Sequence, residues 1–202
     1  MEDASRDDFS ISPLMVLHRK MKKTATSRFN ASNRLMYHHR FSTWSLSIYS
    51  AGLIALSIMP LIGITASMTF EQQQFVQIVL ALFVLIVSLQ MSANDYSGRA
   101  ERMHRCALDI NRLCYRVLHY YSQPNDTHGK SYLRVIKDYD SILGAHENHM
   151  TIDFEMAMVW MTDAYKLSKG RRFWIRFRYS MHFWLYGLLL FLMFGAFGLI
   201  FV

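Results

Sequence analysis

The chain has 202 residues, is 52% hydrophobic and 18% charged, and carries a net charge of +7, an average that fits one or two ordinary soluble domains. Three prolines and nine glycines exclude a collagen-like, linker-rich or disordered polymer. The uneven spacing of the charges then excludes the soluble globular enzyme that the average suggests.

Residues 1–40 open with an acidic stretch, Glu2, Asp3, Asp7 and Asp8, and continue as a basic arm. The first apolar run begins about forty residues in and lacks a cleavage pattern, so a signal peptide is not expected. No Asp, Glu, Lys or Arg lies between Arg40 and Glu71, between Glu71 and Asp95, or from Tyr179 to Val202. A hydrocarbon core of about 30 Å needs roughly 20 apolar residues in helix. These gaps therefore predict transmembrane helices near Trp44–Ile64, Phe75–Ser92 and Phe183–Val202. The first two form a hairpin within residues 41–94, and the third occupies residues 179–202.

Residues 95–178 read as a helical bundle. Ala100, Met103, Ala107, Ile110, Cys114, Val117 and Tyr121 step alternately by three and four, a heptad seam flanked by Cys106, Leu113 and Tyr120. Gly98 is a weak interruption, so the second span is expected to run into this helix as one. Pro124 among Gln123, Asn125 and Asp126 breaks it. Tyr132, Ile136, Tyr139 and Leu143 then pack back antiparallel. A further helix is expected from Thr151 to Ser168, ahead of Gly170 and a basic stretch. The predicted fold class is an all-α membrane protein: transmembrane hairpin, cytoplasmic helical bundle, third C-terminal span.

Topology follows the basic residues. Residues 1–40 hold eight Lys/Arg against four Asp/Glu, the hairpin loop holds only Glu71, and residues 95–178 hold fourteen against ten. By the positive-inside rule, the N-terminus and bundle are cytoplasmic and the C-terminus is outside. Lys166, Lys169, Arg171, Arg172, Arg176 and Arg178 precede the third gap and suit anionic lipid head groups. Trp174, Phe177, Tyr179 and Trp184 suit the same boundary. With no RNA-binding motif present, direct sequence-specific nucleic-acid binding is not expected.

At about 100° per residue, Thr43, Ser47, Ser50 and Ser57 share one side of the first span. Gln74, Gln77, Ala81, Ser88 and Ser92 share one side of the second. Such stripes either line a water-filled path between assembled hairpins or let helices pack and hydrogen-bond closely. Gly187, Gly195 and Gly198 mark a packing face on the third span.

No phosphate-binding glycine loop, nucleophile elbow or CxxC is present, and no enzymatic activity or cofactor is expected. Cys106 and Cys114, eight residues apart on one helix and so about 12 Å apart along its axis, cannot bridge within the chain. Buried, reduced thiols are expected. His146 and His149, with Glu147 and Asp153 nearby, lack a metal-site arrangement; Asn148, Thr151 or Asp153 is read as a helix cap.

Asn30-Ala31 and Arg34-Leu35 before a two-span hairpin, then Tyr96, Arg99-Ala100-Glu101, Met103-His104 and Ile110-Asn111-Arg112-Leu113, resemble the SLATT family. Tyr139-Asp140-Ser141-Ile142-Leu143, then Asn148, His149, Asp153 and Phe154, resemble the NHxxxDY stretch of one subgroup, with Phe in place of Tyr. The similarity covers about residues 14–175; the third span departs from the family's two-span plan. The resemblance implies a bacterial inner-membrane effector of antiviral defence, a homo-oligomer that forms pores and kills the infected cell (abortive infection). It also implies a nucleotide-signalling or reverse-transcriptase (retron-type) partner. The alternative is a non-conducting anchor that holds a partner enzyme or nucleoprotein at the membrane.

Overall fold

The computed structural model describes residues 12–63, 69–122, 128–184, 186–188 and 190–191, and these are mostly helical, with no strand among them. The helices are α1 (Pro13–Ile58), a 3-10 turn (Met59–Ile62), α2 (Phe70–Asn94), α3 (Tyr96–Tyr121), α4 (His128–Gly144), α5 (Thr151–Trp160) and α6 (Lys169–Ser180). They form two compact units, one of residues 1–34 and 99–179, the other of residues 35–98 and 180–202.

In the first unit the α3 seam finds its partners. Cys106, Ile110, Leu113, Cys114 and Val117 pack with Leu14, Leu17, Met21 and Ala25 of α1 and with Val135 and Tyr139 of α4. Leu14, Ile110, Val117 and Val135 are almost wholly buried, and each contributes about 1.5–3 kcal/mol by leaving water. The N-terminal arm is thus a core helix, not merely a basic segment. Met103 and Ala107 are buried as the heptad requires, but Tyr121 is 48% exposed. It is the last residue of α3, and the neighbouring Tyr120 packs against the core instead.

The helix expected to run to Ser168 stops at Trp160; residues 161–168 are turns and irregular chain. The polar Thr162-Asp163 pair accompanies the change, and the Ala164 and Tyr165 amides both turn back onto the Met161 carbonyl. The basic stretch that follows forms its own helix, α6.

In the second unit, the hairpin helices pack through Ser42, Ser45, Leu46 and Tyr49 of α1 against Phe83, Val84 and Val87 of α2, around a cavity of about 20 Å³. Pro60 ends α1 because it has no N–H to donate to Leu56, and Gly63 closes the 3-10 turn in the left-handed region at φ 76°. Thr69 starts α2 with a capping box completed by Gln72.

The continuous rod expected across Gly98 is interrupted at Asp95, which has a left-handed φ of 41°. Its carboxylate accepts the Gly98 amide at 3.1 Å, capping α3. A Cβ at Gly98 would lie 2.4 Å from that carboxylate, so glycine here admits the cap. Of the third predicted span, most of residues 183–202, with Gly195 and Gly198, lies outside the described residues.

Candidate functional site

Asn30, Arg34, Arg99 and Asp153, four of the residues that carry the family resemblance, lie in the first unit, while Leu35 and Tyr96 belong to the second. Arg34 of α1 grips Asp153 of α5 through two parallel hydrogen bonds, Nε to Oδ1 at 2.8 Å and Nη2 to Oδ2 at 3.0 Å. The two side chains are only 6% and 0% exposed. Asp153 Oδ2 also accepts the Met150 amide at 3.0 Å, and Asn30 donates to the Asp153 carbonyl at 3.2 Å. Asp153 is therefore both the helix cap and the anchor of α5 on α1. Asn148 lies exposed on the preceding loop, and Met150 occupies the N-cap position itself.

Two more arginines hold that loop. Arg28, wholly buried, donates to the Glu147 carbonyl at 2.8 Å and approaches the Met103 sulfur at 3.9 Å. Arg99 of α3 binds the Glu147 carboxylate at 3.0 Å. The Arg28 Nε and the His149 Nδ1 are buried without a hydrogen-bond partner. Burial pushes the His149 imidazole below its ordinary value, and the Arg28 cation pushes the same way against the opposing pull of Asp153. His146 Nδ1 is spent on the Ile142 carbonyl at 2.9 Å. Among the described residues no group of three or more metal-ligating side chains assembles.

On the hairpin, Thr43, Ser47, Ser57, Gln74, Ala81, Ser88 and Ser92 are exposed, while Ser50 and Gln77 are half-buried. The packing seam runs instead through Ser42 and Ser45, which spacing alone did not single out. Thr43 and Ser57 return their hydroxyls to the carbonyls of His39 and Leu53 at 2.8 and 2.9 Å, which lets them face lipid cheaply. Ser88 and Ser92 border an open groove of about 410 Å³ with His39, Asp95 and Tyr96.

Gln73, one residue from the predicted stripe, is the buried amide of the hairpin and donates to the Leu56 carbonyl at 2.8 Å. That carbonyl is the one Pro60 leaves without a helical donor. A proline thirteen positions before a glutamine at the hairpin turn was the available signal.

Of the six basic candidates, Arg178 pairs with Glu155 and Arg176 lies 6.0 Å over the Trp160 ring. Lys166, Lys169 and Arg171 are exposed, and Arg172 is half-buried.

Two helices among the described residues are long and apolar enough to cross a membrane, and the apolar window of the α2 stretch is 0% buried within the chain. Such a surface needs lipid around it, which defines a helical membrane protein. Residues 11–199 match the family described as SMODS and SLOG-associating 2TM effector domain family 5, and the chain belongs to it. No curated protein and no solved structure matches the chain.

Proposed function

We propose that the chain is an antiphage effector of the bacterial inner membrane that assembles into homo-oligomers and permeabilises the bilayer when a cytoplasmic partner releases it. The observation that carries this reading is the placement of Ser88 and Ser92 on exposed faces, with the half-buried amide of Gln77 on the same stripe, of a helix otherwise clothed in lipid-facing Phe75, Ile78, Leu82, Leu85 and Leu89. An amide facing hydrocarbon is costly unless another helix or water meets it. Several hairpins side by side supply both. The arm of α1 held by Arg34, Arg28 and Asn30 continues into the first span, so a change at the Asp153 anchor has a covalent route to the hairpin.

The N-terminus and the first unit are placed in the cytoplasm by the positive-inside rule, and the reading includes no enzymatic step. The trigger is a nucleotide-signalling or reverse-transcriptase partner. The test is to induce the gene with and without its genomic neighbours while recording membrane potential. Collapse of the potential under the triggering condition supports the reading; an intact potential while the inserted protein arrests growth contradicts it.

A further inference from the structure

Helix α6 holds Lys169, Arg171, Arg172, Arg176 and Arg178 and no acidic residue. Ile175, the one buried residue of α6, faces the body of its unit. At about 100° per residue, Phe173, Phe177 and Trp174 fall within roughly 100° of one another on a different side. They are 70%, 44% and 58% exposed. The rings also organise one another: Phe173 and Trp174 each stack on Phe177, with centroids 6.3 and 5.7 Å apart. Arginines border this aromatic band on both sides, Arg171 and Arg178 on one, Arg172 and Arg176 on the other.

A helix with a bulky aromatic face between cationic flanks matches the charge and depth profile of the lipid head-group layer. The helix ends at Ser180 and residues 181–183 form a turn, so it is a separate element and not the first turns of a span. We infer that α6 lies in the plane of the membrane surface, with Phe173, Trp174 and Phe177 at the head-group and acyl boundary, the exposed Lys169 and Arg171 on anionic phospholipid, and Arg176 adding to the positive field from its place over Trp160. This rests on the membrane reading above and adds a second, electrostatic membrane contact to the hairpin. Clustered basic residues with stacked aromatics also suit single-stranded nucleic acid. The aromatic band favours lipid because its rings stack on each other along one helix rather than standing apart as platforms for successive bases.

The test uses the full chain with Trp174 as its sole tryptophan (Trp44→Phe, Trp160→Phe, Trp184→Phe) and a sibling that keeps only Trp44. Both are reconstituted into phosphatidylcholine vesicles with or without phosphatidylglycerol. Quenching by a nitroxide placed near the lipid head group is compared with quenching by aqueous iodide. The inference predicts that Trp174 is quenched by the shallow nitroxide and shielded from iodide in anionic vesicles. Adding Arg171→Glu with Arg176→Glu, or raising the salt, returns both signals to the level in neutral vesicles. Trp174 open to iodide in both vesicle types, while Trp44 reports insertion, overturns the inference and leaves the hairpin reading standing. Quenching of Trp174 by a single-stranded oligonucleotide without quenching by the lipid label overturns it in favour of a nucleic-acid surface. Failure of Trp44 to sense lipid removes the membrane reading and this inference together.

Discussion

Arg34 and Asp153 lie 119 positions apart in the chain and meet in a buried, two-pronged ion pair. Removing one partner leaves an uncompensated charge in the interior, which costs about 3–5 kcal/mol. Asp153→Ala should therefore lower the thermal unfolding midpoint in detergent substantially. Arg34→Lys should fail to restore it, since an ammonium cannot reproduce the paired geometry. The double variant Arg34→Met, Asp153→Leu should be less harmed than Asp153→Ala alone. Equal losses in all three would mean that the pair contributes nothing beyond side-chain volume.

Gln73 supplies the Leu56 carbonyl with the donor that Pro60 withholds. Gln73→Leu should cost about 1 kcal/mol, the scale of hydrogen bonds between membrane helices. In a Pro60→Ala background residue 60 regains an N–H for that carbonyl, and the same substitution should cost little. Equal costs in both backgrounds, measured by steric trapping or unfolding in mixed micelles, would break the connection between the two residues.

His149 is held below its ordinary value of 6.5, first by burial and then by Arg28. His18 shifts the same way, by burial and then Lys22. An imidazole that stays neutral when folded but takes up a proton when unfolded makes stability rise with pH. Its contribution is therefore complete above 6.5 and is lost as pH falls through 6.5 toward the folded value. The unfolding midpoint should drop on going from neutral to mildly acidic buffer, and His149→Gln should flatten that drop in part, leaving the share due to His18.

Cys106 and Cys114 are both free and buried. Burial pushes the Cys114 thiol up to about 11 and raises that of Cys106 as well. Since the thiolate is the reactive form, both should resist alkylation at neutral pH in the folded protein and label fully once it is denatured. Mass spectrometry reads the difference directly.

Periodicity exposed much of the architecture. Gaps in charge marked the hairpin, because a helix bathed in lipid tolerates few ions, and the stepping from Met103 to Val117 marked the α3 core face. The arm of α1 was harder to read. Leu14, Leu17, Met21 and Ala25 step correctly, but Arg28 continues that stripe with a cation, and dense Lys/Arg around it mimics a solvated segment. Tyr121 fits the heptad and is exposed because the helix ends there, a boundary effect that spacing does not encode. The partners of Arg34 and Arg28 were invisible for a different reason: each hydrogen bond is made by tertiary folding across 119 positions of sequence. The resemblance had nevertheless singled out Asn30, Arg34, Arg99 and Asp153, which the fold brings to one anchor.

Permeabilisation by the hairpin is read from the membrane potential of cells carrying the complete genomic neighbourhood, recorded after triggering with wild-type protein or with Gln74→Leu, Gln77→Leu and Ser88→Leu combined. Rapid collapse is expected with wild type and a preserved potential with the variant inserted at equal levels. The same collapse in both, or growth arrest in both with the potential intact, would contradict a conducting path lined by these residues.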